Sequence, residues 1–375
     1  MDRGLALALR ERLSGPVHPG LIKVLGNIAL VLQQQGQYAQ ALAMRMRALR
    51  ISELQLGPWH PQLAVAMFAL GRVLRAQGSY REAQDYYERA LRIQERALGL
   101  SHSRVGSVLR EMGSLYLEMG SYPQAIQHTR RALAITRAQP QIDEEEERRT
   151  MLILAAALRH QGLFQEALAL QDEVVEKRRA AAPEHPGRFS SALVSRSLTR
   201  LMQKDYAGAL RDAQQSVDFV HQHDGMDPTD VADAHQMLGR ALLRLGKPAA
   251  ALVELESAIK LREPLVDTGE LGGLLLCSAE ALITLNRSAE ALPRLERALQ
   301  LRGNRELGSD KLHANIHFMR AKALWTLERS MGSHAACVPA LEALEKARTS
   351  YMNQGLAARA ELEELRAWAA KVGCL

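Results

Sequence analysis

Apolar positions along this chain recur in steps of three and four. Ala83, Tyr86, Tyr87, Ala90, Leu91 and Ile93 keep that spacing, as do Leu42, Met46, Leu49 and Ile51. This is the period of one face of an α-helix. No stretch sustains the period-two alternation of a half-buried strand, so the expected class is all-α. The helical pattern is interrupted at regular intervals by a Gly–X–aromatic–X–X–Ala signature. It occurs at residues 36–41, 78–83, 120–125 and 162–167, each 42 residues after the last. The phase continues through Tyr206 and Ala209, then Gly246 and Ala251, and a seventh copy at 288–291 arrives two residues early. A fixed period of this kind marks an array of small units, each too small to bury its own apolar face.

Other positions keep the same phase. Upstream of each turn stands a small residue: Ala29, Gly71, Gly113, Ala155, Ser197, Gly239, Ala279 and Ala321. Downstream come Ala48, Ala90, Ala132, Val174, Ser216, Ala258 and Ala298, with a looser eighth copy at Ala340 and Ala347 after an insertion around 330–336. Two helices joined by a tight turn pack at a distance set by the side chains between them. Small residues on both are therefore expected to let the pair nest closely. The Gly before each aromatic is expected to cap the first helix in a left-handed conformation. Five of the thirteen Tyr and Phe residues sit at the turn position, so the aromatics read as structural and call for no cofactor.

Composition narrows the picture further. The 375 residues exceed the size of one ordinary core, as an elongated stack would. Hydrophobic residues make up 47% but aromatics only 4%, the weight falling on the helix formers Ala and Leu. The net charge of +6 comes from 48 basic and 42 acidic residues with the signs interleaved. That describes a solvated helical surface rather than the concentrated basic stripe of a nucleic-acid binder. Cys277, Cys337 and Cys374 are far apart and form no CxxC pair, which argues against a disulfide framework or a zinc site. No apolar run reaches the ~20 residues of a membrane span. The first thirteen residues carry Asp2, Arg3, Arg10, Glu11 and Arg12, too much charge for a signal peptide. A soluble, cytoplasmic chain is expected.

The repeat resembles the tetratricopeptide repeat, and its 42-residue period is similar to the kinesin light chain subtype. The residues that carry the likeness are the run Arg-Ala-Leu-Arg-Ile-Gln-Glu-Arg-Ala-Leu-Gly at 89–99 and the connectors His18-Pro19, His60-Pro61 and His185-Pro186, with His102 in the same phase. In these connectors Pro suits the first turn of the next helix. The resemblance implies a right-handed superhelical solenoid of about eight helix-turn-helix repeats over residues 16–354. Because His18 aligns with His60, residues 1–15 read as the second half of a helix whose partner is missing, as in a chain cut or diverged from a longer array. Residues 355–375 read as a C-terminal capping helix and tail.

Candidate chemistry is sparse. His313 and His317 stand four apart, but the zincin Glu is missing between them and no third ligand is evident. Gly239 to Lys247 has the wrong spacing for a phosphate loop and lacks the following Ser or Thr. Cys337 near His334 has nothing to orient the two as nucleophile and base. The acidic run 143–147 reads first as negative charge at a helix start, with a docking site for a basic partner as the alternative. Repeat five departs from the pattern with Lys204-Asp205 in place of Gly and Ser197 at the small site, and Gly269, Gly272 and Gly273 weaken the start of repeat seven. No enzyme, cofactor, metal site or small-molecule substrate is expected.

The resemblance also implies that partners bind a groove lined by the first helix of each pair, at positions three before and one, four and five after the small residue. On this chain those are Arg72 and Arg75, Arg110 and Ser114, Leu152, Arg159 and His160, Val194, Leu198 and Leu201, Gln236, Arg240 and Arg244, and Phe318, Lys322 and Trp325, with Glu118 and Glu280 as acidic exceptions. Such a groove is apolar with scattered arginines. It predicts an extended or helical protein segment that carries acidic residues and one large hydrophobe, similar to the acidic, tryptophan-containing cargo peptides of kinesin light chains. Chaperone-binding relatives clamp a carboxylate with Lys and Asn. Here Gly26 and Leu30, then Phe68 and Arg72, stand at those positions, so that clamp is absent. Three further readings remain beside an adaptor: a peptide-sensing regulatory module of a larger protein, a nucleic-acid-binding solenoid, and an enzyme with an unrecognised site.

Overall fold

In the computed structural model, residues 3–180, 182, 185–265, 268–302, 311–330, 337–354 and 358–372 are described. They form eighteen α-helices with short connections, and no strand is found among them. The insertion expected around 330–336, the His334 considered beside Cys337, the first residues of the expected cap (355–357) and Cys374 fall largely outside the described residues.

Two compact units divide the chain, Met1–Val174 and Val175–Leu375. The first holds α1 (Arg3–Ser14), α2 (Leu21–Gln34), α3 (Tyr38–Leu56), α4 (Pro61–Gln77), α5 (Tyr80–Leu98), α6 (Ser103–Glu118), α7 (Tyr122–Arg137), α8 (Glu144–His160) and the start of α9 (Phe164–Ala180). The second holds the end of α9, then α10 (Pro186–Met202), α11 (Tyr206–His221), α12 (Pro228–Arg244), α13 (Pro248–Arg262), α14 (Thr268–Thr284), α15 (Ser288–Arg302), α16 (Lys311–Ser330), α17 (Cys337–Asn353) and α18 (Arg359–Val372). Each helix from α1 to α7, and each from α10 to α17, packs on the next one in sequence, and even-numbered helices also touch one another: α4 with α6, α6 with α8, α10 with α12, α12 with α14 and α14 with α16. The even-numbered helices are called A below; α4, α6 and α8 thus form a row in the first unit, and α10, α12, α14 and α16 a row in the second. The odd-numbered ones from α3 on are called B. The expected weak start of repeat seven is not seen as a break, since α14 runs through Gly269, Gly272 and Gly273.

The turns inside the hairpins share one geometry. An amide N–H two or three residues past the end of helix A donates to a carbonyl five residues back: Gln37 to Leu32, Ser79 to Leu74, Ser121 to Tyr116, Leu163 to Leu158, Asp205 to Arg200, Lys247 to Leu242 and Arg287 to Leu282. This is the Schellman closure, which needs a left-handed residue just before. Gly78 supplies it at φ +86°, as do the glycines in phase with it. In repeats five and seven no glycine is present, yet Lys204 (φ 68°) and Asn286 (φ 60°) adopt the same conformation. The hairpin holds its turn even where the residue resists it.

Entry into helix A is set by the His connectors. His60 Nδ1 accepts from the Gln62 amide at 3.2 Å, and His102 Nδ1 from the Arg104 amide at 3.1 Å. Pro61 and Pro186 occupy the first helical turns of α4 and α10. His18 accepts from the Gly20 amide, and α2 begins only at Leu21, two residues after Pro19. His185 makes no such cap bond.

Small residues sit where the helices of a pair meet. Ala41, Ala83, Ala125, Ala167, Ala209, Ala251 and Ala291 are all fully buried. Opposite them, a Cβ on Gly71 would lie 2.6 Å from the Tyr87 ring, on Gly113 2.2 Å from Thr129 Cγ2, and on Gly239 2.7 Å from Leu255 Cγ. Ser197 keeps the approach and satisfies its hydroxyl by donating to the Ala209 carbonyl at 2.8 Å. Repeat five further ties its pair together with a buried charge cluster, Asp212 receiving Arg196 at 2.7 Å and Arg200 at 3.0 Å.

Gly113→Ala is expected to destabilise the first unit by roughly 1–3 kcal/mol through overpacking against Thr129, read as a lower Tm in thermal unfolding. Lys204→Gly is expected to stabilise the second unit by roughly 0.5–1 kcal/mol, the left-handed penalty less the entropy of glycine, and a Tm that fails to rise would contradict the turn argument.

Candidate binding groove

Relative to the small residue of helix A, positions three before and one, four and five after it lie within a stripe roughly 100° wide, since each residue advances the helix by about 100°. That stripe lies to one side of the hairpin contact. Its side chains meet those of the next A helix. Arg75 on α4 pairs with Glu111 at 3.2 Å and Glu118 at 3.1 Å on α6. Arg110 on α6 pairs with Glu146 on α8 and with its own neighbour Glu111, both at 2.7 Å. Arg244 on α12 pairs with Glu280 on α14 at 2.7 Å, and Lys322 on α16 with Glu364 on α18 at 3.2 Å. The acidic exceptions of the sequence are therefore the partners of its arginines.

This pairing alters the charge of the row. Burial works against the Arg110 guanidinium, but Glu111 and Glu146 outweigh it and lift its pKa above the ordinary value. The same balance holds for Arg244, where Glu280 outweighs burial. Burial, helped by Glu111, raises the Glu118 carboxyl in spite of Arg75. The acidic run is likewise consumed internally. Asp143 caps α8 by accepting from the amides of Glu145 and Glu146, and Glu147 accepts from Arg137 at 2.6 Å.

The remaining expected groove residues divide by exposure. Arg72 and His160 are exposed, His160 stacking on Tyr122 with ring centroids 4.8 Å apart. Ser114, Leu152, Arg159, Gln236, Arg240 and Trp325 are half-buried. Val194, Leu198 and Leu201 are also half-buried, packed on the core of Ala213, Val217, Val220 and Leu238. Phe318 differs from its expected role. It is 3% exposed, lies edge-on against Trp368 of α18 at 5.8 Å and is covered by Lys322, so it belongs to the core beneath the last helix rather than to an open surface. α18 occupies the face of α16 on which Phe318 stands.

In the second unit α12, α14 and α16 enclose a cavity of about 390 Å³, closed by Tyr351 of α17 and by Glu361 and Glu364 of α18. Gln236, Arg240 and Cys277 line it, and Tyr351 donates to Asn315 Oδ1 at 2.5 Å. Burial raises the Cys277 thiol, the opposite of what a reactive thiolate needs. Sequence reasoning missed Glu111, Asn315, Tyr351 and the α18 carboxylates. One signal was present: Arg and Glu stand 36 residues apart at Arg75/Glu111, Arg110/Glu146, Arg130/Glu166, Arg137/Glu173 and Arg244/Glu280, and each of these pairs is made.

His313 and His317, weighed as metal ligands, contact each other edge to face at 4.5 Å. Burial, together with the charges of His313, Lys346 and Arg320, pushes His317 down to about 4. Its Nδ1 is buried without a partner. Among the described residues no group of three His, Cys, Asp or Glu is placed to hold a metal, and no helix is long and apolar enough to cross a membrane.

A row of A helices stacked on B helices, with a polar and apolar face along the A row, defines the class of helix-hairpin repeat proteins that form α-solenoids. The sequence matches tetratricopeptide repeat models at residues 5–53, 20–96 and 73–138, at 149–187 and at 232–264, together more than half of the chain, and the chain belongs to the tetratricopeptide repeat family. Solved structures agree on the fold. A Podosopora anserina protein with nearly identical TPR-like repeats of the kinesin light chain type is 21% identical, with TM-score 0.50 over 56% of this chain and 99% of its own. Aspartyl phosphate phosphatase F from Bacillus subtilis is 14% identical, with TM-score 0.60 over 86% and 75%. A Rap protein complexed with competence and sporulation factor is 13% identical, with TM-score 0.55 over 94% and 99%. Curated protein sequences give no match.

The folded-state pKa of His317 lies below its unfolded value, so the unfolded chain binds the extra proton first. Stability is expected to fall as pH drops from about 6.5 toward 4, and His317→Gln should flatten that part of the Tm-versus-pH curve. An unchanged curve would show that His317 titrates normally.

Proposed function

We propose that this protein is a non-enzymatic scaffold that recruits a partner protein by seating one of its segments along the A-helix row. The observation that carries the reading is the composition of that row in the second unit, half-buried Val194 and Leu198 interleaved with polar side chains that project from successive repeats. Extended surfaces of this kind are what stacked repeats provide for binding. Because Arg75, Arg110, Arg244 and Lys322 already face carboxylates, an acidic segment seated on the first unit is drawn mainly by Arg72, and one seated on the second mainly by Arg240. Its large hydrophobe enters the cavity beside Leu243, Leu276 and Met319. The protein works in the cytoplasm in this reading.

A second reading is a peptide-sensing regulatory module. Its support is the extent of the likeness to the Rap protein solved with competence and sporulation factor, 94% of this chain.

Affinity capture with the intact chain, compared with the chain carrying Arg72→Glu and Arg240→Glu, tests the scaffold reading. Neither arginine forms an ion pair among the described residues, so both variants should fold with unchanged helicity and lose the partner. The same captured proteins at the same yields from both chains would reject the groove.

A further inference from the structure

We propose that His221 and His235 bind a divalent late first-row transition-metal ion, zinc above all, with Glu254 orienting one of the two ligands and water completing the shell. The site lies where α11, α12 and α13 meet, on the hairpin side of α12 and not on the stripe of Gln236, Arg240 and Arg244. His221 is the last residue of α11 and is exposed, whereas His235 stands in the middle of α12 and is buried. Their ring centroids are 5.2 Å apart and the rings are tilted by 52°. Two imidazoles on one tetrahedral ion, with Zn–N bonds of about 2.0–2.1 Å, hold their centroids roughly 5 Å apart.

The tautomer follows from Glu254. An ionised carboxylate only accepts, so His235 Nδ1 carries a proton and donates to Glu254 Oε2 at 2.7 Å. The neutral ring then presents an unprotonated Nε2. A metal-bound imidazole is held in the same way: a carboxylate on the far nitrogen fixes the ring and raises the basicity of the ligating one. Neither His235 Nε2 nor either nitrogen of His221 has a hydrogen-bond partner among the described residues. The Glu254 charge also offsets part of the charge of the ion. Imidazole ligands suit zinc, copper and nickel, whereas magnesium and calcium prefer oxygen.

The other histidines lack these features. His313 and His317 also meet, but the charged neighbours of His317 are His313, Lys346 and Arg320, which repel a cation, and its Nδ1 has no carboxylate to orient it. His223 is turned onto its own helix, with Nδ1 2.8 Å from the Phe219 carbonyl oxygen and its ring against Phe219. An ion between His221 and His235 joins the last turn of α11 to the middle of α12. It thereby fastens repeat five to repeat six across the connection 222–227.

The test uses the full untagged chain, stripped of metal with a chelator and dialysed. Zn2+ is titrated by isothermal titration calorimetry, with Mg2+ as the control ion, and Tm is measured with and without zinc. The wild-type chain should bind one more zinc ion than His221→Ala, should bind no magnesium, and should melt at a higher temperature when zinc is present. Without metal, His221→Ala should melt with the wild type, because the exposed ring makes no hydrogen bond, and zinc should raise its Tm less. Glu254→Gln keeps an acceptor for His235 but loses the charge, and should weaken zinc binding about tenfold. His313→Ala should bind zinc as the wild type does. No zinc binding by the wild-type chain overturns the proposal, as does wild-type stoichiometry and affinity in His221→Ala or in Glu254→Gln. Loss of the ion in His313→Ala overturns it too, by moving the site to the other pair.

Discussion

The structure depends on the distance between the two helices of each hairpin. Where α6 meets α7, a single added methyl at Gly113 would stand 2.2 Å from Thr129 Cγ2, and Thr129 is itself anchored by donating to the Ala125 carbonyl. Gly71 and Gly239 make the same close approach to Tyr87 and Leu255, and fully buried alanines such as Ala83, Ala125 and Ala251 stand on the second helix of each of these pairs. Close approach lets dispersion contacts between backbones and small side chains accumulate along the pair. It also aims the neighbouring positions of helix A, one turn above and below, at the next repeat rather than into the pair.

Charge placement follows from that geometry. Once A helices stack in a row, an arginine on one meets whatever stands 36 residues later on the next, and in three places this is glutamate: Glu111, Glu146 and Glu280. The resulting pairs tie repeat to repeat and neutralise a face that would otherwise repel itself. Exposed pairs of this kind contribute little each, about 0–1 kcal/mol, but Glu111 and Arg110 are largely shielded from water and gain more from each other.

The last described helix, α18, covers an apolar face of α16. α18 lays Trp368 against Phe318 and Trp325, and its carboxylates meet Lys311 and Lys322. That apolar face is thereby buried by an amphipathic helix. The cavity beside Tyr351 is a by-product of that closure, since Glu361 and Glu364 of α18 form one of its walls.

Much of this was legible in the sequence because it is local. Helices, their starts at His60 and His102, their left-handed ends at Gly78 and the burial of Ala83 or Ala125 follow from side chains a turn or two apart, and the 42-residue phase repeats them. Even Lys204 could be placed in its turn by phase alone, against its own preference. Tertiary structure decided which charges were already answered. The stagger between successive A helices, which no single helix encodes, put Arg75 and Arg244 on glutamates, sent Arg45 through the gap at Gly26 and folded α18 over Phe318. Spacing along one helix names a face, but only the packing of its neighbours determines whether that face meets water, a carboxylate or a tryptophan.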